Sequence, residues 1–191
     1  MVQKKWILGL LAVSALTLVI LILLLSYIQR EPQFGGDFEL TYKGEPWRFS
    51  QNAKKLNLLY IGYKNCPDVC PMSLSFTAQA IKQLTPQQAA RVQVLFLSVD
   101  YEHDDPLDVA RYASQFSPGF WGLSGTQTQI QQTVSLFKAS YMMEENPKSY
   151  LGYSISHTDR IYFLNSKGFV LKMISSPRDA DLILQYIKEI L

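Results

Sequence analysis

The sequence predicts an α/β fold, a mixed sheet flanked by helices, preceded by one apolar segment long enough to span a membrane. Three observations carry this. The runs "LNLLYIGY" (56–63) and "VQVLFLSV" (92–99) are apolar nearly throughout, as central strands covered on both faces require. Each is followed by a stretch with helical spacing of apolar residues. Two later strand-like runs, joined by a Ser166-Lys167-Gly168 turn, form a hairpin, and strand–helix alternation ending in a hairpin makes a mixed sheet.

Residues 6–28, "WILGLLAVSALTLVILILLLSYI", contain no charge. At 1.5 Å per residue the run is long enough for a bilayer core of about 30 Å. It is longer than the apolar core of a cleaved signal peptide and lacks an Ala-x-Ala site, so it reads as an uncleaved anchor. Lys4 and Lys5 precede it, whereas Arg30 and Glu31 come after it and cancel. The positive-inside bias therefore keeps residues 1–5 in the cytoplasm and exports the chain beyond Ile28. The chain has 18 basic and 16 acidic residues, and three of the former and one of the latter flank the apolar run. The exported part is thus balanced in charge, with no basic stripe for nucleic acid.

Residues 29–36, "QREPQFGG", read as a linker, and residues 37–191 as the working domain. "DFELTY" and "PWRF" around Lys43-Gly44 form a hairpin. After the first central strand, Pro71 sits in the first turn of a helix whose Leu74, Ala78, Ile81 and Leu84 share a face. After the second, Asp105 caps a helix running to Phe116. "FWGL" is a short strand, and Thr126 caps "QTQIQQTVSLFKAS". "YSISH", "RIYFLN" (160–165) and "FVLKMI" (169–174) are strands, and Ser176-Pro177 opens a last helix with Leu182, Ile183, Tyr186, Ile187 and Ile190 as its apolar stripe.

This order matches a thioredoxin-like arrangement. It places "NCPDVCPM" (65–72), with both cysteines of the chain, at the end of a central strand and the start of a helix. Two cysteines in a domain of about 160 residues are too few for a disulfide-stapled scaffold, and a domain that size buries a sufficient core without them. Cys66 and Cys70 are spaced C-x3-C. If the first helical turn is regular, residues i and i+4 share a face about 5–6 Å apart, and both sulfurs converge. A helix N-terminus favours thiolate. Such a pair can form a disulfide or hold a soft metal. Asp68 reads first as a turn residue bonded to nearby amides and second as a group that tunes the thiols.

The chain has two histidines. His103 lies in "DYEHDDP", a charged loop in which Asp100, Asp104 and Asp105 read as loop and cap residues. His157 ends "YSISH", and a late loop of this fold can return beside the cysteine-bearing helix. His157 is therefore the expected third member, with His103 at most an auxiliary one. Two thiols and one imidazole suit copper, whereas a structural zinc site needs four ligands. Met142-Met143 read as packing, and Tyr60, Tyr63, Phe96, Phe120 and Trp121 as core.

"YIGYKNCPDVCPMSL" resembles the Y-F-G-Y-x-x-C-P-D-V-C-P signature of the Sco/SenC family. "GGDFELTYKGEP", "LFLSVDYEHDDP", "FWGLSGTQTQI" and "ISHTDRIYFLNSKG" resemble further segments of it. The resemblance implies a membrane-anchored, thioredoxin-fold copper protein that serves assembly of the binuclear copper centre of cytochrome c oxidase. By position, Cys66, Cys70 and His157 fall on the family's copper ligands. Ser156, Tyr101 and His103 depart from its pattern, and Ser156 replaces an Asp that bears on the support of the ligand histidine. The expectation is a metallochaperone rather than an enzyme, in a bacterial inner membrane with its domain in the periplasm. Its partners are the copper-site subunit of the oxidase and a thiol reductant or another copper chaperone. The rival is a thiol–disulfide oxidoreductase that uses Cys66 and Cys70 to reduce a copper apoprotein.

Overall fold

The computed structural model describes residues 15–22, 24 and 34–191, which belong to two units, Met1–Gln33 and Phe34–Leu191. In the first unit the described residues are helical, and Leu16, Leu18, Val19, Ile20, Leu21, Ile22 and Leu24 are exposed. No helix among the described residues is long and apolar enough to cross a membrane. The remainder of the expected 6–28 anchor lies outside the described residues, as do residues 1–5 and 29–33.

The second unit opens at Phe34. Gly35 and Gly36, at the end of the expected linker, are tied into it: Gly35 donates to the Leu136 carbonyl at 2.8 Å and Gly36 to that of Gly168 at 3.0 Å. In chain order the elements are β1 (Glu39–Tyr42), β2 (Glu45–Arg48), α1 (Phe49–Asn52), β3 (Leu56–Gly62), α2 (Val69–Lys82), α3 (Pro86–Ala89) and β4 (Val92–Ser98). Then come α4 (Pro106–Phe116), β5 (Phe120–Leu123), α5 (Gln127–Leu136), β6 (Tyr141–Glu145), β7 (Tyr153–His157), β8 (Arg160–Leu164), β9 (Val170–Ser175) and α6 (Ala180–Ile190).

A five-stranded sheet runs β5-β4-β3-β8-β9. β3 pairs parallel with β4, from Leu56↔Val92 to Gly62↔Ser98, and antiparallel with β8. β4–β5 is parallel and β8–β9 antiparallel, so the sheet is mixed as expected. Every residue of β3 and β4 is buried, which explains their unbroken apolar composition. The β1–β2 hairpin turns on Lys43 and Gly44, both left-handed (φ 53° and 90°), the primed turn that matches strand twist.

The caps are where the sequence places them for two helices. The Asp105 carboxylate accepts from Leu107 N at 2.8 Å, with Pro106 in the first turn of α4. Thr126 and Gln129 form a reciprocal capping box on α5. α6 starts later than expected: Asp179, not Ser176, accepts from Asp181 N and Leu182 N. It buries Ile183, Leu184 and Ile187 and packs against α2. α4 meets β5 backbone to backbone, for a Cβ on Gly122 would lie 2.0 Å from the Val109 carbonyl oxygen. The short helices α1 and α3 have no counterpart in the sequence reading.

One strand differs in its pairing. "YSISH" forms β7, but β7 leaves the main sheet and pairs antiparallel with β6 in a separate two-stranded ribbon. β6 has no clear strand signature, since its residues are half-buried or exposed and two of them are Glu. Only its partner makes it a strand. His157 is therefore delivered by the end of a ribbon rather than by the register of the main sheet.

Candidate metal centre

β3 ends at Gly62 and hands the chain to a turn in which Cys66 N donates to the Tyr63 carbonyl at 3.2 Å. Cys66 is not helical. α2 begins at Val69, so Cys70 is its second residue and Pro71 its third, where a missing N–H leaves no intrahelical bond unmade. The two sulfurs thus do not share one helix face. They meet because the turn folds Cys66 back over the first helical turn. Asp68 stands at the N-cap without a side-chain cap bond, contrary to the expected turn role. Its backbone N–H and that of Cys70 instead help to lower the Cys66 pKa.

The expected trio is assembled. One ligand atom from each of Cys66, Cys70 and His157 lies within 4.8 Å of the others. Cys70 Sγ and His157 Nε2 are 3.3 Å apart, and both cysteines are free thiols. Cys70 is wholly buried, Cys66 is 9% exposed, and His157 is half-buried. The set is open from the Cys66 and His157 side.

The imidazole is held by its surroundings. Tyr60 and Tyr63 meet it edge-on at 6.1 Å and 6.0 Å between ring centroids. Nδ1 faces the Thr158 carbonyl oxygen at 3.4 Å, and because that oxygen can only accept, the contact suits a ring protonated on Nδ1. In the neutral ring with its proton there, the Nε2 lone pair would point toward the sulfurs, the state a metal ligand needs. Ser156 is exposed on the opposite face of the ribbon. A longer acid there would not reach the ring, so the Ser156 departure leaves the imidazole orientation to Thr158.

The thiols divide their roles. Cys66 is lowered to about 4, chiefly because Cys70 donates its S–H to it, with burial opposing and with His157 and the two backbone N–H groups assisting. Cys70 is pushed far up, first by burial and then by the neighbouring Cys66. Tyr63 is raised to about 12, first by burial and next by Cys66. A lowered group keeps its charge as pH falls until its own pKa is reached. Alkylation by iodoacetamide should therefore modify Cys66 alone, at a rate that falls less than about threefold between pH 8 and pH 6. An ordinary thiol near 8.5 loses close to tenfold per unit below its pKa. A steep, tenfold-per-unit fall would contradict the assignment.

Other sequence candidates stand apart. His103 is bonded through Nδ1 to Asp100 at 2.8 Å and stacks on Tyr153 at 4.5 Å. Met142 is exposed on the outer face of the ribbon, and Met143 packs on the core. Asp105 is the expected cap. Asp100 and Asp104, however, are buried. Asp104 accepts from Lys64 N at 2.8 Å and Ser98 Oγ at 2.6 Å, tying the cysteine turn to the end of β4, and burial raises its pKa. The residue missed outright is Gly62, since a Cβ there would lie 2.5 Å from Cys70 Sγ. Its signal was a glycine inside an apolar strand, which marks a close approach.

A thioredoxin-like sheet that offers two thiols and an imidazole at the end of its central strand defines a class, the thiolate proteins that hold a soft metal or exchange electrons. The profile of the SCO1/SenC family matches residues 27–191, and the chain belongs to that family. It is 30% identical over 160 residues to the SCO2-like protein of Rickettsia felis, covering 82% of this chain and 76% of that one. It spans only 52% of the longer mitochondrial SCO2 of Saccharomyces cerevisiae. Among solved structures, apo Sco1 of Thermus thermophilus superposes with a TM-score of 0.75 at 32% identity, over 84% of this chain and 93% of that one. The copper-bound ScoI of Arabidopsis thaliana gives 0.73 at 28%, over 82% and 98%.

Proposed function

We propose that this protein is a copper metallochaperone that carries one ion on Cys66, Cys70 and His157 and delivers it to the binuclear copper site of cytochrome c oxidase. The observation that carries this is the convergence of the three ligand atoms within 4.8 Å. Thiolates select Cu(I), and imidazole accepts both copper oxidation states. Cys70, wholly buried, is the inner ligand, and Cys66 and His157 face the side from which an acceptor approaches. Transfer proceeds by ligand exchange: an acceptor sulfur or nitrogen bonds as the two more accessible donors let go, and Cys70 releases last. The thiols must be reduced for loading, so a thiol reductant or a second copper chaperone is a partner. No substrate is turned over, and the protein is not an enzyme in this role.

X-ray absorption on the Cu(I)-loaded full chain tests the ligand set. Two sulfurs and one nitrogen are expected at the metal, and a shell without nitrogen would remove His157. The apolar run 6–28, with Lys4 and Lys5 before it, supports a single-pass anchor in a bacterial inner membrane with the domain in the periplasm. Protease added outside spheroplasts should then release the domain, whereas full protection would reverse the orientation.

The low pKa of Cys66 beside a buried Cys70 favours a second reading, thiol–disulfide exchange. Cys66 thiolate attacks a partner disulfide and Cys70 resolves the mixed disulfide, leaving the partner as dithiol and this pair oxidised. A dithiol potential near that of dedicated reductants, roughly −270 mV for thioredoxin, supports that reading, and a markedly higher value supports the carrier.

A further inference from the structure

His157 sits at the end of a ribbon that is not part of the main sheet, while the sulfurs belong to β3's turn and to α2. The register of β8 on β3, with Tyr60 opposite Ile161, brings the end of the ribbon near the cysteine turn but does not by itself set the distance between imidazole and thiols. Something must lock the ribbon end to the cysteine body. The side chain placed to do so is Asp159, two residues beyond His157 in the link between β7 and β8.

Its carboxylate grips three elements at once. Oδ1 accepts from the Tyr60 hydroxyl at 2.9 Å and from Ser73 Oγ at 3.2 Å. Oδ2 accepts from Arg178 Nη2 at 2.8 Å, an ion pair whose Asp159 side chain is 19% exposed. The Asp159 carbonyl oxygen also accepts from Ser176 N at 2.9 Å, in the turn that brings Arg178 back over the carboxylate. Ser73 lies three residues past Cys70, on the same side of α2. Tyr60 lies two residues before Gly62 in β3, and its ring is one of the two that meet His157 edge-on. Between Asp159 and His157 stands only Thr158, whose carbonyl faces His157 Nδ1. Its N–H in turn donates to the Ser140 carbonyl at 3.0 Å, fixing it to the chain just before β6.

We infer that Asp159 is the positioning residue of the metal centre, holding His157 within reach of the sulfurs by tying the ribbon end to Tyr60, Ser73 and Arg178. It is not itself a ligand, because its oxygens are occupied by those donors. Its effect is transmitted along a single route, from carboxylate to the 158–159 backbone to the imidazole. The sulfurs are carried by the backbone of their own turn and helix, which Asp159 reaches only through the Tyr60 and Ser73 hydroxyls, so they are expected to move less than the imidazole. A carboxylate that merely stabilised β8 would show no such selectivity. The inference rests on the copper reading above, in which His157 is a ligand.

The test compares the full chain, solubilised in detergent, as wild type, Asp159→Ala, Asp159→Asn and His157→Ala. Three readouts are taken: thermal unfolding, the imidazole proton shifts of the apoprotein, and the nitrogen coupling of bound Cu(II) in electron paramagnetic resonance. In wild type, the Tyr60 and Tyr63 rings should displace the His157 proton resonances from their free positions. Asp159→Ala is expected to fold, to keep Cys66 as its reactive thiol, to lose most of that displacement and to lose nitrogen coupling, as His157→Ala does. Asp159→Asn should keep most of both signals, because the amide oxygen still accepts from Tyr60 and Ser73 and only the bond from Arg178, which the donor NH2 cannot accept, is lost. Should Asp159→Ala fail to fold, Tyr60→Phe and Ser73→Ala each remove one grip, and each is expected to reduce the displacement partially.

An Asp159→Ala protein that unfolds earlier yet keeps both wild-type signals would overturn the inference alone, and so would Tyr60→Phe and Ser73→Ala variants that both leave the displacement intact. If wild type and His157→Ala gave the same copper spectrum, the copper reading would fail first and take this inference with it.

Discussion

Replacing Gly62 with alanine is expected to damage the metal centre more than the fold. The new methyl would stand 2.5 Å from Cys70 Sγ and 3.3 Å from Phe96 and Tyr60 ring carbons. The aromatic contacts are tight but tolerable, and the sulfur contact is not. Because Cys70 has a short side chain, the sulfur escapes by rotating about χ1. The alternative rotamer carries Sγ away from the point it shares with Cys66 and His157. Overpacking of this kind costs about 1–3 kcal/mol, and we expect the lower end because the rotation relieves it. Affinity for Cu(I) should fall at least tenfold, about 1.4 kcal/mol, since one of three donors is misplaced. Thermal unfolding and competition titration on the same preparation separate the two effects. Unchanged affinity with unchanged stability would show that β3 and α2 move apart freely, and that Gly62 is not what seats the sulfur.

That residue shows why parts of the site were legible in the sequence and parts were not. The cysteine pair and His157 are chemically distinctive, and family-like segments surround them. β3 and β4 announce themselves by apolar composition, and Asp105 and Thr126 by cap chemistry, because these signals are local. Gly62 is visible as a glycine in a strand, but what stands opposite depends on where α2 begins, which no local pattern specifies. Cys66 and Cys70 converge as the C-x3-C spacing implies, but across a turn rather than along one helix face, because two prolines and an Asp leave the helical period unreadable there. β6 could not be read because "YMMEE" becomes a strand only against β7. Asp159 looked like one more polar residue in "SHTDR". Its weight comes from Tyr60, Ser73 and Arg178, which lie 99, 86 and 19 positions away in sequence.

The Ser156 departure has a similar lesson. In sequence, a lost acid beside the expected ligand suggests weakened support for the imidazole. In the ribbon, alternation sends residue 156 outward and leaves the ring to the Thr158 carbonyl and two tyrosines. The supporting contacts come from backbone and neighbouring elements, which sequence comparison one position at a time does not reveal.

Copper carriage by three convergent donors is the central claim, and His157 is the donor contributed from afar. Anaerobic competition titration of the full chain with Cu(I), wild type against His157→Ala, tests it most directly. One tight site per chain is expected for wild type, weakened at least tenfold, about 1.4 kcal/mol, in the variant, with both thiols still reduced. Equal affinity in the two proteins would contradict the claim and leave Cys66 and Cys70 as a redox pair.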